Sequence, residues 1–440
     1  MKEEGIVFSD KHALVPKTEL KKLGKKLESE LIEIEESMKR GYETKYAPLT
    51  LPLDYSTLEN VKEVIAEKKK LAPDYLIVIG IGGSNLGTMA VQEAILGKMY
   101  NLLEPETKVL YADTVDTESI RDIKKIIEPQ LRQGKKVMIN VISKGGNTTE
   151  TIANFEVLLE PLIRFKKNYE KYVIATTNED SKLWKLSKEK GFTTLAIPQK
   201  VGGKYSVFSP VGLFPLGILN IDLDFLFLGA STALKHGLKR NIYENPAMLS
   251  AAIQYYHYKK GKNISDLFLF SNNLEGVGKW YRQLMAESLG KRYSLKKKEI
   301  RVGMTPTVSI GSTDLHSVAQ LYLGGPFDKL MTLVGIEKSS ERITVPNLPD
   351  YNQLVEDING RSLDEIMSAI LQGVKIAFSK EKKPFIDITL PDKSERSIGE
   401  FMQFKMLEVM YLASLLDVNP FDQPNVEDYK KETRAVLKKG

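Results

Sequence analysis

Residues Leu76 to Gly87 read LIVIGIGGSNLG. An apolar run of strand length passes straight into glycines, and a helix-compatible stretch follows. The order strand, glycine turn, helix opens a βαβ unit and commits the surrounding chain to a mainly parallel sheet. Gly80 and Gly82 begin the G-x-G-x-x-G spacing of a dinucleotide loop, but the third position holds Asn85. Three readings fit the loop comparably. It is a damaged dinucleotide site, a phosphate loop with the Ser84 hydroxyl near a helix N-terminus, or a tight turn without a ligand.

The same grammar continues outward from this loop. Strands are predicted at Tyr75–Gly80, Lys108–Asp113, Lys136–Ser143, Lys171–Thr177 and Thr193–Ile197, with helix-length segments between them. Their near-continuous hydrophobicity suits strands covered on both faces. After a helical region around 230–260 the pattern restarts. Strands are predicted at Asp266–Ser271, Thr307–Ile310, Leu330–Gly335 and Phe385–Leu390, with a helix over Trp280–Leu289. A long helix is expected to begin at Ser397, with Glu400 completing a capping box, and to run to about Asp417. The charged tail 421–440 reads as one more helix. Near the N-terminus, Leu20, Leu23, Leu27, Leu31 and Ile34 recur at helical spacing within residues 17–41, and Ala47–Pro52 breaks that helix. The fold class is therefore α/β. A chain of 440 residues is too long for one core of ordinary size, so two such domains are expected. The expected divisions are an N-terminal helical extension over 1–54 packing on the second domain, a first α/β domain over 55–215, and a second over 216–440.

Composition removes several classes of function. Without a cysteine there is no disulfide, thiolate nucleophile or cysteine-ligated metal. The four histidines, His12, His236, His257 and His316, form no H-x-x-x-H pair, so no metal site is expected. The 63 basic and 57 acidic residues are interspersed, so a net charge of +6 does not make a nucleic-acid surface. The most apolar region, Val207–Gly229, contains Pro210, Pro215, Asp222 and Asp224 and reads as core rather than a membrane span. The polar start MKEEGIVFSDKH lacks a signal-peptide core. A cytoplasmic protein with neither a membrane nor a nucleic-acid partner is expected.

In open α/β sheets, ligands bind beyond the carboxyl ends of the strands. The segment after the strand KVMINVI is Ser143–Thr151, SKGGNTTET. Four hydroxyls, one lysine and two glycines lie within nine residues at a helix start. Ordinary helix capping by Thr148 would account for part of this. The density of donors with one cation suits a compact phosphate better. The spacing of a P-loop is absent. Adjacent strand ends can supply two sides of one site, so a phosphorylated small molecule is the economical ligand.

Six segments occur in order: GIGGSNLG (80–87), SKGGNTTET (143–151), VGGKYSVFSPVG (201–212), QLMAESLGK (283–291), GSTDLHSVAQ (311–320) and PFDQPNVEDYKK (420–431). Together they resemble the glucose-6-phosphate isomerase family, over about residues 47–431. The resemblance implies two sugar-isomerase-type domains, each a mainly parallel sheet flanked by helices. It also implies reversible interconversion of glucose 6-phosphate and fructose 6-phosphate, in glycolysis and gluconeogenesis, with no cofactor and no metal, by a homodimer.

Moving a carbonyl between C1 and C2 needs ring opening and a base for a carbon-bound proton. It also needs a cation or donor set for the enediolate. By spacing, Gln283 and Glu287 share one face of a helix, yet spacing alone makes Glu287 an ordinary solvated glutamate. Lys430 sits in a charged tail and has the same plain reading. His316 stands at a predicted strand end. The resemblance implies that Glu287 shuttles the proton between C1 and C2 and that Gln283 binds near it. It implies that His316 helps to open the ring from the neighbouring subunit. Lys430 would transfer a proton at the ring oxygen, with Gln423 as a sugar contact. Gly83 and Ser84 would contact the substrate, Ser143, Lys144 and Thr148 would surround its phosphate, and Glu150 and Thr151 would lie at the sugar end. One position departs from the family pattern: Lys204 stands where the family has an arginine that stabilises the enediolate. Lysine keeps the charge and loses the planar fork of donors. An active enzyme is still expected, with that stabilisation weaker or differently arranged.

Three other readings stay open on sequence. One is a dual-specificity enzyme that also takes mannose 6-phosphate. Another is a non-catalytic phosphosugar-binding protein, which would have no reason to hold Glu287, His316 and Lys430 together. The third is a nicotinamide dehydrogenase gripping ribose through Asp113, which lies further from the glycines than is usual.

Overall fold

The computed structural model describes residues 5–438. The chain divides into two compact units: Glu33–Ser231, and residues up to Ile32 together with those from Thr232 onward.

The first strand of the chain, β1 (Val7–Ser9), belongs to the sheet of the second of these units. The next five are β2 (Tyr75–Ile79), β3 (Lys108–Ala112), β4 (Val137–Ile142), β5 (Val173–Thr177) and β6 (Thr193–Ala196). They form one sheet in the order β3-β2-β4-β5-β6, parallel at every pair. β4 is buried at all of its residues, which is why VMINVI shows no alternation. Ile77, Ile139 and Val173 pack there against Ile127 of the helix Thr117–Arg132 and Leu158 of the helix Thr149–Phe165.

The chain runs from β2 out to β3, then crosses back to place β4 on the other side of β2. The carboxyl ends of β2 and β4 are therefore the switch point, where an open parallel sheet leaves a crevice. GIGGSN leaves one of these two strand ends and SKGGNTTET leaves the other. Residues 216–231 remain with this unit because the helix Pro210–Ile218 packs along the helix Tyr55–Lys69. In addition, Lys62 pairs with Asp224 at 2.6 Å.

The other unit contains β7 (Ile264–Leu269), the antiparallel hairpin β8 (Lys291–Tyr293) with β9 (Glu299–Val302), then β10 (Thr305–Ile310), β11 (Lys329–Ile336) and β12 (Phe385–Leu390). Its sheet runs β1-β12-β11-β7-β10 and is parallel except for β1, which lies antiparallel at one edge. Phe268, Met331, Leu333 and Phe385 form its floor with Leu371 and Phe378 of the helix Leu363–Lys380. Neither β1 nor the hairpin was expected from sequence. β1 is three residues long, and the hairpin strands KRY and EIRV are charged and mostly exposed.

Two helices begin elsewhere than expected. The helix expected from Trp280 starts at Glu275, because Gly276 and Gly278 hide its first turn from a propensity reading. The long C-terminal helix spans Glu395–Leu415, and its cap is Ser394, whose side chain accepts from the Ser397 amide. Ser397 and Glu400 therefore form no capping box. Glu400 is buried, and its carboxylate accepts the Ile6 amide instead. The tail helix is Glu427–Leu437. No helix among the described residues is long and apolar enough to cross a membrane. No group of three or more His, Cys, Asp or Glu among them could hold a metal ion.

Candidate active site

At the switch point of the first sheet, the helix Thr149–Phe165 begins without a side-chain cap. Thr148 occupies the cap position, but its side chain accepts no hydrogen bond from the helix amides. Its Oγ1 pairs with Ser143 Oγ at 3.0 Å instead. The first-turn amides are thus left for something outside the helix, on the end where the dipole is positive. Ser143 is pinned in turn: its carbonyl accepts Thr177 Oγ1 at 2.6 Å and the Gly146 amide at 3.0 Å. Lys144 is half-buried, and burial pulls its ammonium below the ordinary lysine value. Among the described residues that ammonium has no hydrogen-bond or ion-pair partner. A desolvated, unpaired cation beside two hydroxyls and an uncapped helix start attracts an anion.

Glu150 follows in the first helical turn, part exposed. Thr151 is 2% exposed, and its hydroxyl is shielded from solvent without a hydrogen-bond partner among the described residues.

The glycine loop is built for a different reason from the one its composition suggested. Gly82 has φ +57°, a conformation that favours glycine. Gly83 faces the chain itself: a Cβ there would lie 2.2 Å from the Gly203 carbonyl carbon and 2.4 Å from the Lys204 amide nitrogen. Gly83 thus admits the backbone of the turn Gly203–Tyr205. Ser206 stitches the two loops, its Oγ donating to the carbonyls of Gly83 (3.2 Å) and Gly203 (2.7 Å). The consequence is placement. Lys204, 1% exposed, sits on the turn that covers the Ser84 loop. Ser84 is half-buried, and its hydroxyl has no partner among the described residues. Asn85 is buried at the start of the helix Leu86–Leu96, where a third fingerprint glycine would be.

In the other unit, the helix Glu275–Leu289 carries Gln283 and Glu287 one turn apart. Its opposite face is fixed firmly. Trp280, Leu284, Met285 and Leu289 are buried. Tyr281 donates at 2.6 Å to Glu408 Oε1, inside a fully buried cluster where Lys405 reaches both Glu408 oxygens at 2.9 Å. Gln283 and Glu287 are left on the half-exposed edge.

Glu287 Oε1 accepts the Gln283 amide at 3.0 Å, and Oε2 accepts the Gln423 amide. Both carboxylate oxygens are aimed by neutral donors, and each keeps a lone pair for a proton. Three sequence-predicted residues, Gln283, Glu287 and Gln423, therefore meet. Gln423 opens the tail and the helix Glu427–Leu437 follows it. Lys430, on that helix, pairs with Glu427 at 2.8 Å.

His316 lies in a short turn after β10, Thr313–His316, and is exposed. The turn is held by Asp314, whose carboxylate accepts the Ile310 amide at 2.7 Å. The His316 ring has no hydrogen-bond partner among the described residues. The second sheet has its own switch point, between β7 and β11, with a cavity of about 590 Å³ lined by Asn272, Glu337 and Lys375 among others. None of the predicted residues lines it. Sequence reasoning missed Lys291, which follows Gly290 at the helix end and contacts both Glu287 and Asp422.

Residues 67–439 match the model of the phosphoglucose isomerase family. A glucose-6-phosphate isomerase of Carboxydothermus hydrogenoformans is 34% identical over 424 residues, covering 94% of this chain and 88% of that relative. Among solved structures, a hypothetical protein of Thermus thermophilus superposes with a TM-score of 0.85 at 28% identity, covering 98% of this chain and 99% of that one. A glucose-6-phosphate isomerase of Chlamydia trachomatis superposes with a TM-score of 0.84 at 20% identity, covering 99% and 88%, and so shares the fold.

Proposed function

This chain belongs to the phosphoglucose isomerase family, and we propose that it interconverts glucose 6-phosphate and fructose 6-phosphate through an enediolate. The observation that carries this reading is the Glu287 carboxylate, with one oxygen on Gln283 and the other on Gln423. Glu287 takes the proton from C2 of the open-chain aldose and returns it to C1 while the O2 hydroxyl proton passes to O1, so the carboxylate is regenerated and nothing is consumed. Lys204 supplies positive charge to the enediolate oxygens in place of the family arginine. Lys430 and His316 move the protons of ring opening, and Gln423 contacts the sugar. Ser143, Lys144 and Thr148 hold the phosphate, with Ser84 and the amide of Gly83 beside it and Glu150 towards the sugar. The uncapped helix and the unpaired Lys144 support that assignment. Phosphorylated hexoses are cytoplasmic metabolites, and the enzyme is assigned there.

The direct test is turnover of glucose 6-phosphate to fructose 6-phosphate in deuterated water. Turnover with deuterium entering carbon is expected, and binding without exchange would make the protein a phosphosugar-binding module. Lys144→Met removes a cation from the phosphate without altering the acid–base groups. It should raise KM by about 10- to 100-fold, the worth of a charge-assisted bond, and leave kcat within a few-fold. A fall confined to kcat would remove Lys144 from phosphate binding.

The active species is proposed to be a homodimer in which His316 serves the neighbouring subunit, as suits an exposed ring with no hydrogen-bond partner among the described residues. Glu287→Gln and His316→Ala proteins, each nearly inactive alone, should regain activity when unfolded and refolded together. Random pairing restores one intact site in each mixed dimer, or about a quarter of wild-type activity. No recovery would place His316 in the site of its own chain.

A further inference from the structure

Lys291 is the last residue of QLMAESLGK and the first of β8. It is 6% exposed, an uncommon position for a lysine, and its ammonium is fully engaged. It donates to the Glu287 carbonyl at 3.0 Å, to the Asp422 carbonyl, and to Asp422 Oδ1 at 3.1 Å. The first of these bonds satisfies a helix-end carbonyl one turn back. The other two reach across more than a hundred residues of sequence to the loop that opens the tail. Asp422 immediately precedes Gln423, and Gln423 donates to Glu287 Oε2. One buried ammonium therefore ties the backbone of residue 287 to the backbone of the residue before 423. Between those two anchors lies the hydrogen bond that aims one oxygen of the base.

The loop has little else to hold it. Asp422 is exposed, Gln423 half-exposed, and Pro424 and Asn425 exposed. The short turn Pro424–Val426 has no side-chain cap. Without the ammonium, the Asp422 carbonyl and carboxylate would turn to water and Gln423 would lose its register over Glu287.

We propose that Lys291 is a positioning residue, which latches the Asp422–Gln423 loop to the end of the Glu287 helix so that the Gln423 amide aims the catalytic carboxylate. The proposal rests on Glu287 being the base. Lys291 does not touch substrate in this role, and it acts through Gln423.

That indirectness gives the test. Lys291→Met keeps the aliphatic length and removes the charge. In wild-type background it should lower kcat by about 10- to 100-fold, as ångström-scale misplacement of a catalytic group does, with KM changed by no more than about twofold. In a Gln423→Ala background the same substitution should change kcat hardly at all, because the group it positions is gone. Effects that multiply independently would overturn the latch, and so would a wild-type kcat for Lys291→Met. Asp422→Ala approaches from the exposed end, where folding is not at stake. It should give a smaller fall, about threefold, that also vanishes in the Gln423→Ala background; persistence of the fall there would again overturn the latch. Glu287→Gln assayed alongside separates the two levels. If it stays active, the assignment of the base fails. If it is inactive while Lys291→Met behaves as wild type, only the latch fails.

Discussion

Glu287→Gln should lower kcat by about a thousandfold to ten-thousandfold, the upper part of the range expected when a general base is removed. That is about 4–5.5 kcal/mol of transition-state stabilisation. KM should change little, because the phosphate is assigned to Ser143, Lys144 and Thr148, in a different part of the chain. The substitution is nearly isosteric, and the side chain is only half-buried, so the fold has no reason to fail. What it loses is specific. In the wild type both carboxylate oxygens accept amide hydrogens, from Gln283 at 3.0 Å and from Gln423. A glutamine offers one acceptor and one donor to those two donors, so one bond is lost, and neither remaining atom can take a proton from carbon. Deuterium entry into product should fall with kcat. Glu287→Asp keeps the charge but withdraws it by one methylene from both amides, and should fall between the two. Retention of more than about a tenth of wild-type kcat by Glu287→Gln would remove Glu287 from the proton transfer.

How much of this was legible in the sequence varies with the physics. Parallel strands buried on both faces carry their own signal, so β2, β4 and β12 lie within a residue or two of where LIVI, VMINVI and FIDITL placed them. The switch point follows from strand order, which residues do not spell out, yet the donor-rich loops marked it. Elements with weak local signals escaped. β1 is three residues pairing with a strand nearly four hundred positions away. Ser394 took the cap, and Glu400, which seemed to complete a box with Ser397, is buried against Ile6.

The site divides in the same way. Gln283 and Glu287 sit one helical turn apart and their pairing was readable. The contact of Gln423 with Glu287 spans 136 positions and no periodicity announces it. Lys291 stood in a quoted motif and drew no attention, because a lysine after a helix-ending glycine is commonplace until its burial is seen. The buried Lys405–Glu408 pair reads in sequence as an ordinary salt bridge three residues apart. In the fold it is a core cluster that holds Tyr281, and with it the helix of the base.

Gly83 lacks a side chain because the backbone of Gly203 and Lys204 packs against it. Gly83→Ala should cost at least about a hundredfold in kcat/KM, as catalytic groups displaced by an ångström do. It should also cost about 1–3 kcal/mol of stability, as overpacking does. An alanine Cβ would lie 2.2 Å from the Gly203 carbonyl carbon, 2.4 Å from the Lys204 nitrogen and 2.5 Å from the Gly203 oxygen. All three are backbone atoms, so no side chain can swing away to make room. The two loops must part, and the Ser206 bonds to the carbonyls of Gly83 and Gly203 resist that motion. Parting displaces both Ser84 and Lys204, which distinguishes this variant from removal of either side chain. Had Gly83 been small only to admit a ligand, alanine would raise KM and leave the folded protein as stable as before. The backbone contact predicts instead that unfolding by urea shifts to lower midpoint in the absence of any substrate. Wild-type stability with a raised KM would mean that Gly83 lacks a side chain for the ligand's sake; lowered stability with lowered kcat/KM is the result expected of a glycine that seats Lys204.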